Sequence, residues 1–141
     1  MNSAFDPADI RAGDVVRYPY LWAREAVRGE TAGRKHRPSA VAFRYVHRGE
    51  DRVFLLPITA SEPEPGRAAY ELPEIEVRRI GRGDVGRLWV VLDEANIERV
   101  HGSHYIEPDS LVGRLSGVAM EQIRAGVAAS RRQLRQVTRL D

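Results

Sequence analysis

Residues 53–59 read VFLLPIT, a nearly continuous apolar run near the middle of a chain of 141 residues. An apolar run of this length without polar alternation predicts a β-strand that is covered on both faces. Pro57 has no N–H to donate to a strand ladder, so we expect the strand to reach an edge or a bulge there. The sheet built around this strand should therefore carry packing on both sides.

Further strand patterns lie on either side of this run. Upstream, we predict strands at 15–20 and 39–46 and a turn at 48–51, after a long polar loop at 21–37 that includes a helical turn through 22–27. Downstream, we expect strands at 70–72 and 88–92 and a turn at 80–86. Residues 97–100 and 104–106 should pair as a last hairpin.

The C-terminal end has a helical period. Met120, Ile123, Val127, Leu134 and Val137 follow spacings of three and four if polar Ser130 fills one position, and Ser116 is a suitable N-cap. We predict a terminal helix over 117–137 within a single domain over 13–141, preceded by a flexible lead-in at 1–12. Several short strands followed by one helix fit a small, strongly bent β-barrel better than an α/β fold.

Composition indicates an ordinary cytoplasmic domain. Hydrophobic residues make up 43% of the chain, charged residues 30%, and cysteine is absent. No apolar run approaches the roughly 20 residues of a membrane span, and residues 1–9 lack the pattern of a secretion signal. The net charge is only +2, and Lys35 is the only lysine. Arginine binds phosphate well, although a GC-rich genome explains the same bias.

Polar residues collect at the ends of the predicted strands. The segment GRKHRP at 33–38 precedes one strand, Thr59 and Ser61 follow the next, and residues 93–96 (DEAN) follow a third. Glycine-rich phosphate loops and zinc-protease or serine-hydrolase motifs are missing. The four histidines have no spacing that favours a metal site. Barrel strands that bring these ends together would form a basic cleft bearing hydroxyl and carboxylate groups.

Such a cleft suits the cleavage of RNA. The 2′-hydroxyl of the substrate is the nucleophile, so the protein needs a base, a cation for the charged phosphorane and an acid for the leaving 5′-oxygen. This chemistry requires no metal and no cofactor.

Three motifs in register resemble the MazF/PemK/Kid toxins. They are Gly13-Asp14-Val15-Val16 before a long loop, then residues 36–41 (HRPSAV), then residues 56–59 (LPIT). The resemblance covers about residues 13–96, with a looser match to the end. It implies an SH3-like barrel, the fold of the wider MazF/PemK/CcdB superfamily, and a homodimer. It also implies a toxin that cuts single-stranded RNA to 2′,3′-cyclic phosphate and 5′-hydroxyl ends and is blocked by a cognate antitoxin protein.

The resemblance also implies roles for individual residues. Arg37 matches the arginine that contacts the scissile phosphate, and Thr59 matches the hydroxyl residue that positions it. Asp93 matches the aspartate thought to act as general base in some members, and Glu30 a loop glutamate. Further candidates are His36 and Ser61 as base or support, and Arg34, Lys35, Trp22 and Asn96 as RNA contacts.

Departures from the family pattern leave alternatives open. Arg34 and Lys35 look like an insertion, and Val91 stands where aspartate-using members carry an arginine. The base therefore stays open among Glu30, His36 and Asp93, and Trp22 is as much a core anchor as a stacking platform. A decayed member that binds RNA or an antitoxin without cutting is one alternative. A gyrase poison of the CcdB type is another, disfavoured because the tail, residues 139–141, does not resemble theirs.

Overall fold

The computed structural model describes residues 5–30 and 35–139, and within them the chain is mainly β. Three α-helices and a short 3-10 helix at Pro7–Asp9 accompany eight strands. The strands are β1 Asp14–Tyr18, β2 Arg37–His47, β3 Glu50–Thr59, β4 Ala69–Glu71, β5 Trp89–Val91, β6 Glu94–Arg99, β7 Leu111–Arg114 and β8 Arg135–Arg139. The helices are α1 Ala23–Val27, α2 Glu74–Arg79 and α3 Gly117–Ala129.

Strand β3 is the centre of the sheet. It pairs along its length with β2, while its other edge pairs with β6 over residues 52–55 and with β5 over residues 58–59. Pro57 lies next to the gap between those two pairings, in agreement with the expectation that a residue without an N–H sits at a break in a ladder. The order β4-β5-β3-β2-β1-β7 is antiparallel throughout, and β8 adds to β6 in parallel.

The predicted mainly β character is confirmed, but the sheet is open and does not close into a barrel. In the described part of the chain, β7 at one end of the strand order does not pair with β4 at the other. The edge of β3 that faces away from β2 explains why the sheet is open. Both β5 and β6 pair along this edge, and β6 then pairs with the C-terminal strand β8. Alternation along a strand reports which faces are buried, and it does not report which strands pair.

Both faces of β3 are buried, as the apolar run predicts. Phe54, Leu56 and Ile58 belong to a core on one face, where α2 and α3 pack. Val53 and Leu55 belong to a second core on the other face, which also contains the aromatic residues Tyr18, Tyr20 and Trp22. The loop that follows β1 packs into the second core, and this loop contributes residues to the candidate site.

The terminal helix is shorter than predicted. Helix α3 ends at Ala129 with Ser130 as its C-cap, and residues 135–139 form β8 instead of continuing the helix to 137. Met120, Ile123 and Val127 are buried on its inner face, as expected. The segment RQVTR contains β-branched Val137 and Thr138, and pairing with the free edge of β6 stabilises it as a strand.

Of the other local predictions, some agree with the structure and others do not. The turn at 80–86 is present, but the sequence did not predict α2 just before it. The hairpin expected across residues 101–103 is wrong, since 97–99 lie in β6 and 104–106 are not a strand. In the expected lead-in, residues 5–12 pack on the domain. There Ile10 is fully buried and Arg44 donates hydrogen bonds to the carbonyls of Ala8 and Ile10.

In the described residues, the longest helix falls short of the length and apolar character that crossing a bilayer requires.

Candidate active site

A groove of about 510 Å³ lies where β2 begins and β3 ends. Arg37 is the first residue of β2 and Thr59 the last of β3. The antiparallel register pairs Ser39 with Pro57 and so brings these two strand ends together. Both Arg37 and Thr59 line the groove. The two residues on which the sequence hypothesis depends therefore share one cavity.

Arg37 is a partly desolvated cation held against an aromatic ring. Its guanidinium carbon lies 5.0 Å from the centroid of Trp22, and that of Arg24 lies 4.9 Å from the same ring. The Nε atom of Arg37 is buried without a hydrogen-bond partner among the described residues. Burial lowers the pKa of Arg37; Glu25 opposes this shift and Arg24 adds to it. The guanidinium of Arg37 lines the groove, so its N–H groups on that side can bind an anion there.

Trp22 is a core residue that also forms one wall of the groove. Its side chain belongs to the second core and the residue is 8% exposed, with the Tyr20 ring edge-on at a centroid distance of 5.2 Å. Its backbone N–H donates to the Glu25 carboxylate in the first turn of α1. Of the two readings of Trp22, the structure favours the core anchor, since little of the ring is open to stack on a base.

Thr59 presents a hydroxyl whose orientation is restricted. Its Oγ1 accepts a hydrogen bond of 3.1 Å from the backbone N–H of Ser61. A hydroxyl that accepts one bond still has its own hydrogen to donate. Ser61 is exposed and also lines the groove. This end of the groove can therefore offer O–H donors to a phosphate oxygen.

Asp93 is fully engaged in binding an arginine from the β3–β4 loop. Nε of Arg67 donates to Asp93 Oδ2 at 2.9 Å, Nη2 donates to Oδ1 at 2.7 Å, and the Ala68 N–H adds a bond of 3.1 Å. Burial raises the pKa of Asp93, but these hydrogen bonds outweigh burial and lower it. A carboxylate with a lowered pKa and occupied oxygens is poorly suited to remove a proton. The geometry therefore disfavours Asp93 as a general base.

Asn96, a predicted RNA contact, lies in the interior of the domain. The residue is fully buried, its Oδ1 accepts from the backbone N–H of Leu21 at 2.9 Å, and its Nδ2 donates to the carbonyl of Leu21 at 2.7 Å. Its amide anchors the loop between β1 and α1. Glu94 assists by accepting from the N–H of Ala23. Asn96 is thus a structural residue that keeps Trp22 in place.

The remaining predicted residues are spread around the rim. Lys35 lines a smaller adjoining pocket of about 150 Å³ together with Trp22, Arg24 and Arg37. His36 is exposed and Glu30 is half-buried, and neither is among the lining residues of the two pockets. Arg34 lies outside the described residues. The structure therefore groups Lys35 with Arg37 and leaves His36 and Glu30 apart from the groove.

Four charged groove residues escaped the sequence analysis. Arg24 and Arg67 line the groove beside Arg37, and Glu62 and Glu64 line it from the loop after β3. Arg24 follows Trp22 by two positions, a signal that was available but weak. Arg67 gives no local sign of its role, because its carboxylate partners lie 26 and 27 residues away.

Within residues 5–30 and 35–139, no cluster of three or more histidine, aspartate or glutamate side chains is arranged to hold a metal ion.

No protein-family model matches the chain, and no curated protein shows significant sequence similarity to it.

Proposed function

We propose that this protein is an endoribonuclease that cuts single-stranded RNA in the groove between the ends of β2 and β3. The observation that carries the proposal is the shared groove of Arg37 and Thr59, which combines a partly desolvated guanidinium and a hydroxyl with a hydrogen to donate. Guanidinium and hydroxyl donors in one cavity suit a phosphodiester, whose two free oxygens carry the negative charge.

The reaction needs no group beyond those that line the groove and the RNA itself. The 2′-oxygen attacks phosphorus and gives its proton to a carboxylate. Glu64 lines the groove, as does Glu62, whose exposed carboxylate lies 3.6 Å from Arg87. Arg37 and Thr59 stabilise the charged phosphorane. The bond to the 5′-oxygen breaks, and Arg37, whose pKa burial lowers, donates the proton to that oxygen. The products are a 2′,3′-cyclic phosphate and a 5′-hydroxyl.

The biological setting of this proposal comes from the sequence resemblance. The enzyme would be the toxin of a type II toxin–antitoxin pair, would act as a homodimer and would be inhibited by a cognate antitoxin protein. A second candidate, a decayed member that binds RNA without cutting it, has one observation in its favour. Asp93, which matches the aspartate thought to act as base in some members of the family, is occupied by Arg67.

The test is RNA cleavage by purified variants in the presence of a chelator. We expect Arg37→Ala to lower the cleavage rate by about 100-fold or more, as for loss of a group that stabilises the transition state, and Thr59→Val to lower it by about tenfold or more. Arg132→Ala, which removes an exposed arginine after α3, serves as the control and should cut at the wild-type rate. Full activity in Arg37→Ala would contradict the proposal, whereas RNA binding without products would favour the second candidate.

A further inference from the structure

Arg67 has a donor group that its protein contacts leave unused. Its Nε and Nη2 atoms bind Asp93, and Nη2 also binds Glu94 at 2.9 Å. Among the described residues, its Nη1 atom has no hydrogen-bond partner. The Arg67 side chain is 33% exposed and lines the same groove as Arg37. Two N–H donors of a firmly held guanidinium are therefore available to a ligand.

The position of Arg67 does not duplicate that of Arg37. Arg37, at the start of β2, packs against the ring of Trp22. Arg67 forms ion pairs with Asp93 and Glu94, at the start of β6. The Asp93 and Glu94 side chains are only 7% and 4% exposed, and they bind the inner edge of the guanidinium. Because these two carboxylates more than offset its single positive charge, Arg67 contributes fixed, directional donors and no net positive charge.

The groove is large enough for more than one phosphate group. Its volume of about 510 Å³ lies within the range of roughly 300–1,000 Å³ that is usual for sites of small organic ligands. A strand of RNA carries one phosphate per nucleotide, so a nucleotide in this groove has a phosphate on each side. Two separate guanidinium groups in one groove fit two phosphates of such a strand.

Resting on the function proposed above, we infer that Arg67 binds a second phosphate, next in the strand to the one held by Arg37 and Thr59. The substrate is then an internal segment of RNA that carries at least two phosphates. Asp93 is a positioning residue: it holds the guanidinium of Arg67 so that Nη1 faces the groove. Arg67 and Asp93 together make the enzyme prefer longer strands over a lone phosphodiester.

The test compares three dinucleotides that share one cleavable phosphodiester. One has no other phosphate, one has an added 5′-phosphate and one an added 3′-phosphate. We expect the wild-type kcat/KM for one of the phosphorylated forms to exceed that of the plain form by about tenfold, the worth of one charge-assisted hydrogen-bonded contact. The control Arg132→Ala should keep this ratio.

Variants at the proposed subsite should remove the preference. Arg67→Lys keeps the positive charge that Asp93 and Glu94 require but loses the planar set of guanidinium N–H donors. The kcat/KM ratio of phosphorylated to plain dinucleotide should therefore fall close to one. Asp93→Asn should lower the ratio to an intermediate value, because Arg67 is then held less firmly. A wild-type ratio near one, or an undiminished ratio in Arg67→Lys, would overturn the Arg67 assignment. An undiminished ratio in Asp93→Asn would overturn the positioning role.

A binding measurement separates this inference from the proposed cleavage. The same three dinucleotides, made with 2′-deoxyribose, lack the nucleophile and can be titrated against tryptophan fluorescence. The tenfold preference should appear in Kd and should be lost in Arg67→Lys. If the wild type cuts no RNA but shows this preference, the cleavage proposal fails and the second phosphate site stands. If it cuts RNA and binds all three alike, the second site fails and the cleavage proposal stands.

Discussion

Arg37 and Arg24 both place their guanidinium groups against the ring of Trp22. Each cation–π contact is worth about 0.5–2 kcal/mol, and the two cations repel one another. A buried N–H without a partner, such as Nε of Arg37, costs about 1–3 kcal/mol. A phosphate bound between the two guanidinium groups would relieve their mutual repulsion. At the scale of single residues, the two arginines on Trp22 therefore favour an anion at this end of the groove.

Glu98 is a buried acid on the far side of the sheet from α3. It is fully buried, accepts a hydrogen bond of 2.7 Å from the Tyr18 hydroxyl and lies near Ser103 and Arg139. Burial raises its pKa, against the opposing effects of Tyr18, Ser103 and Arg139. The folded protein thus keeps this proton at pH values where the unfolded chain has lost it.

This buried acid predicts a pH dependence of stability. Since the raised pKa belongs to the folded state, the free energy of unfolding should decline as pH rises from about 4.5, the ordinary glutamate value, through the folded-state pKa. The slope for one proton cannot exceed about 1.4 kcal/mol per pH unit. Glu98→Gln keeps an oxygen for Tyr18 but does not titrate. Urea unfolding from pH 4 to 8 should show the wild type losing stability relative to Glu98→Gln, and parallel curves would refute the assignment.

At the scale of elements, helix α2 and strand β7 approach so closely that only glycine fits between them. A Cβ atom at Gly113 in β7 would lie 2.5 Å from the carbonyl oxygen of Arg79 and 2.8 Å from Cα of Ile80. Both contacts are with backbone, which cannot rotate away. At Gly117, the first residue of α3, an added Cβ would meet nothing within 4 Å.

These two glycines give a matched pair of substitutions. We expect Gly113→Ala to lower the free energy of unfolding by about 1–3 kcal/mol, the usual cost of overpacking. Gly117→Ala should be neutral or should add up to about 1 kcal/mol, because alanine favours the helix. Chemical denaturation of both variants measures the difference. Equal stabilities for the two variants would show that α2 and β7 are not in this close contact.

Elements with strong local patterns were predictable, and elements that depend on distant partners were not. The run at 53–59 and the alternation in β2 report their own burial, so those strands were predicted. Leu134 and Val137 fit a continued helical period equally well, and only the free edge of β6 makes residues 135–139 a strand. Helix α2 has just six residues, too few for a clear period.

The same distinction applies to the candidate site at the scale of the whole molecule. Arg37 and Thr59 stand at the ends of neighbouring strands, so their meeting followed from the strand prediction. The contact of Arg67 with Asp93, the burial of Asn96 and the approach of Arg24 to Trp22 all depend on how loops cross the sheet. The open sheet also differs from the expected barrel because β3 pairs with two strands along one edge.

The whole account centres on a groove that holds an RNA phosphodiester and lets the 2′-oxygen attack it. The most direct measurement is mass spectrometry of the products formed when the wild-type protein digests single-stranded RNA in the presence of a chelator, with DNA of the same sequence alongside. The account predicts fragments ending in a 2′,3′-cyclic phosphate and a 5′-hydroxyl, and intact DNA. Intact RNA, 5′-phosphate ends, or equal cleavage of the DNA would contradict it.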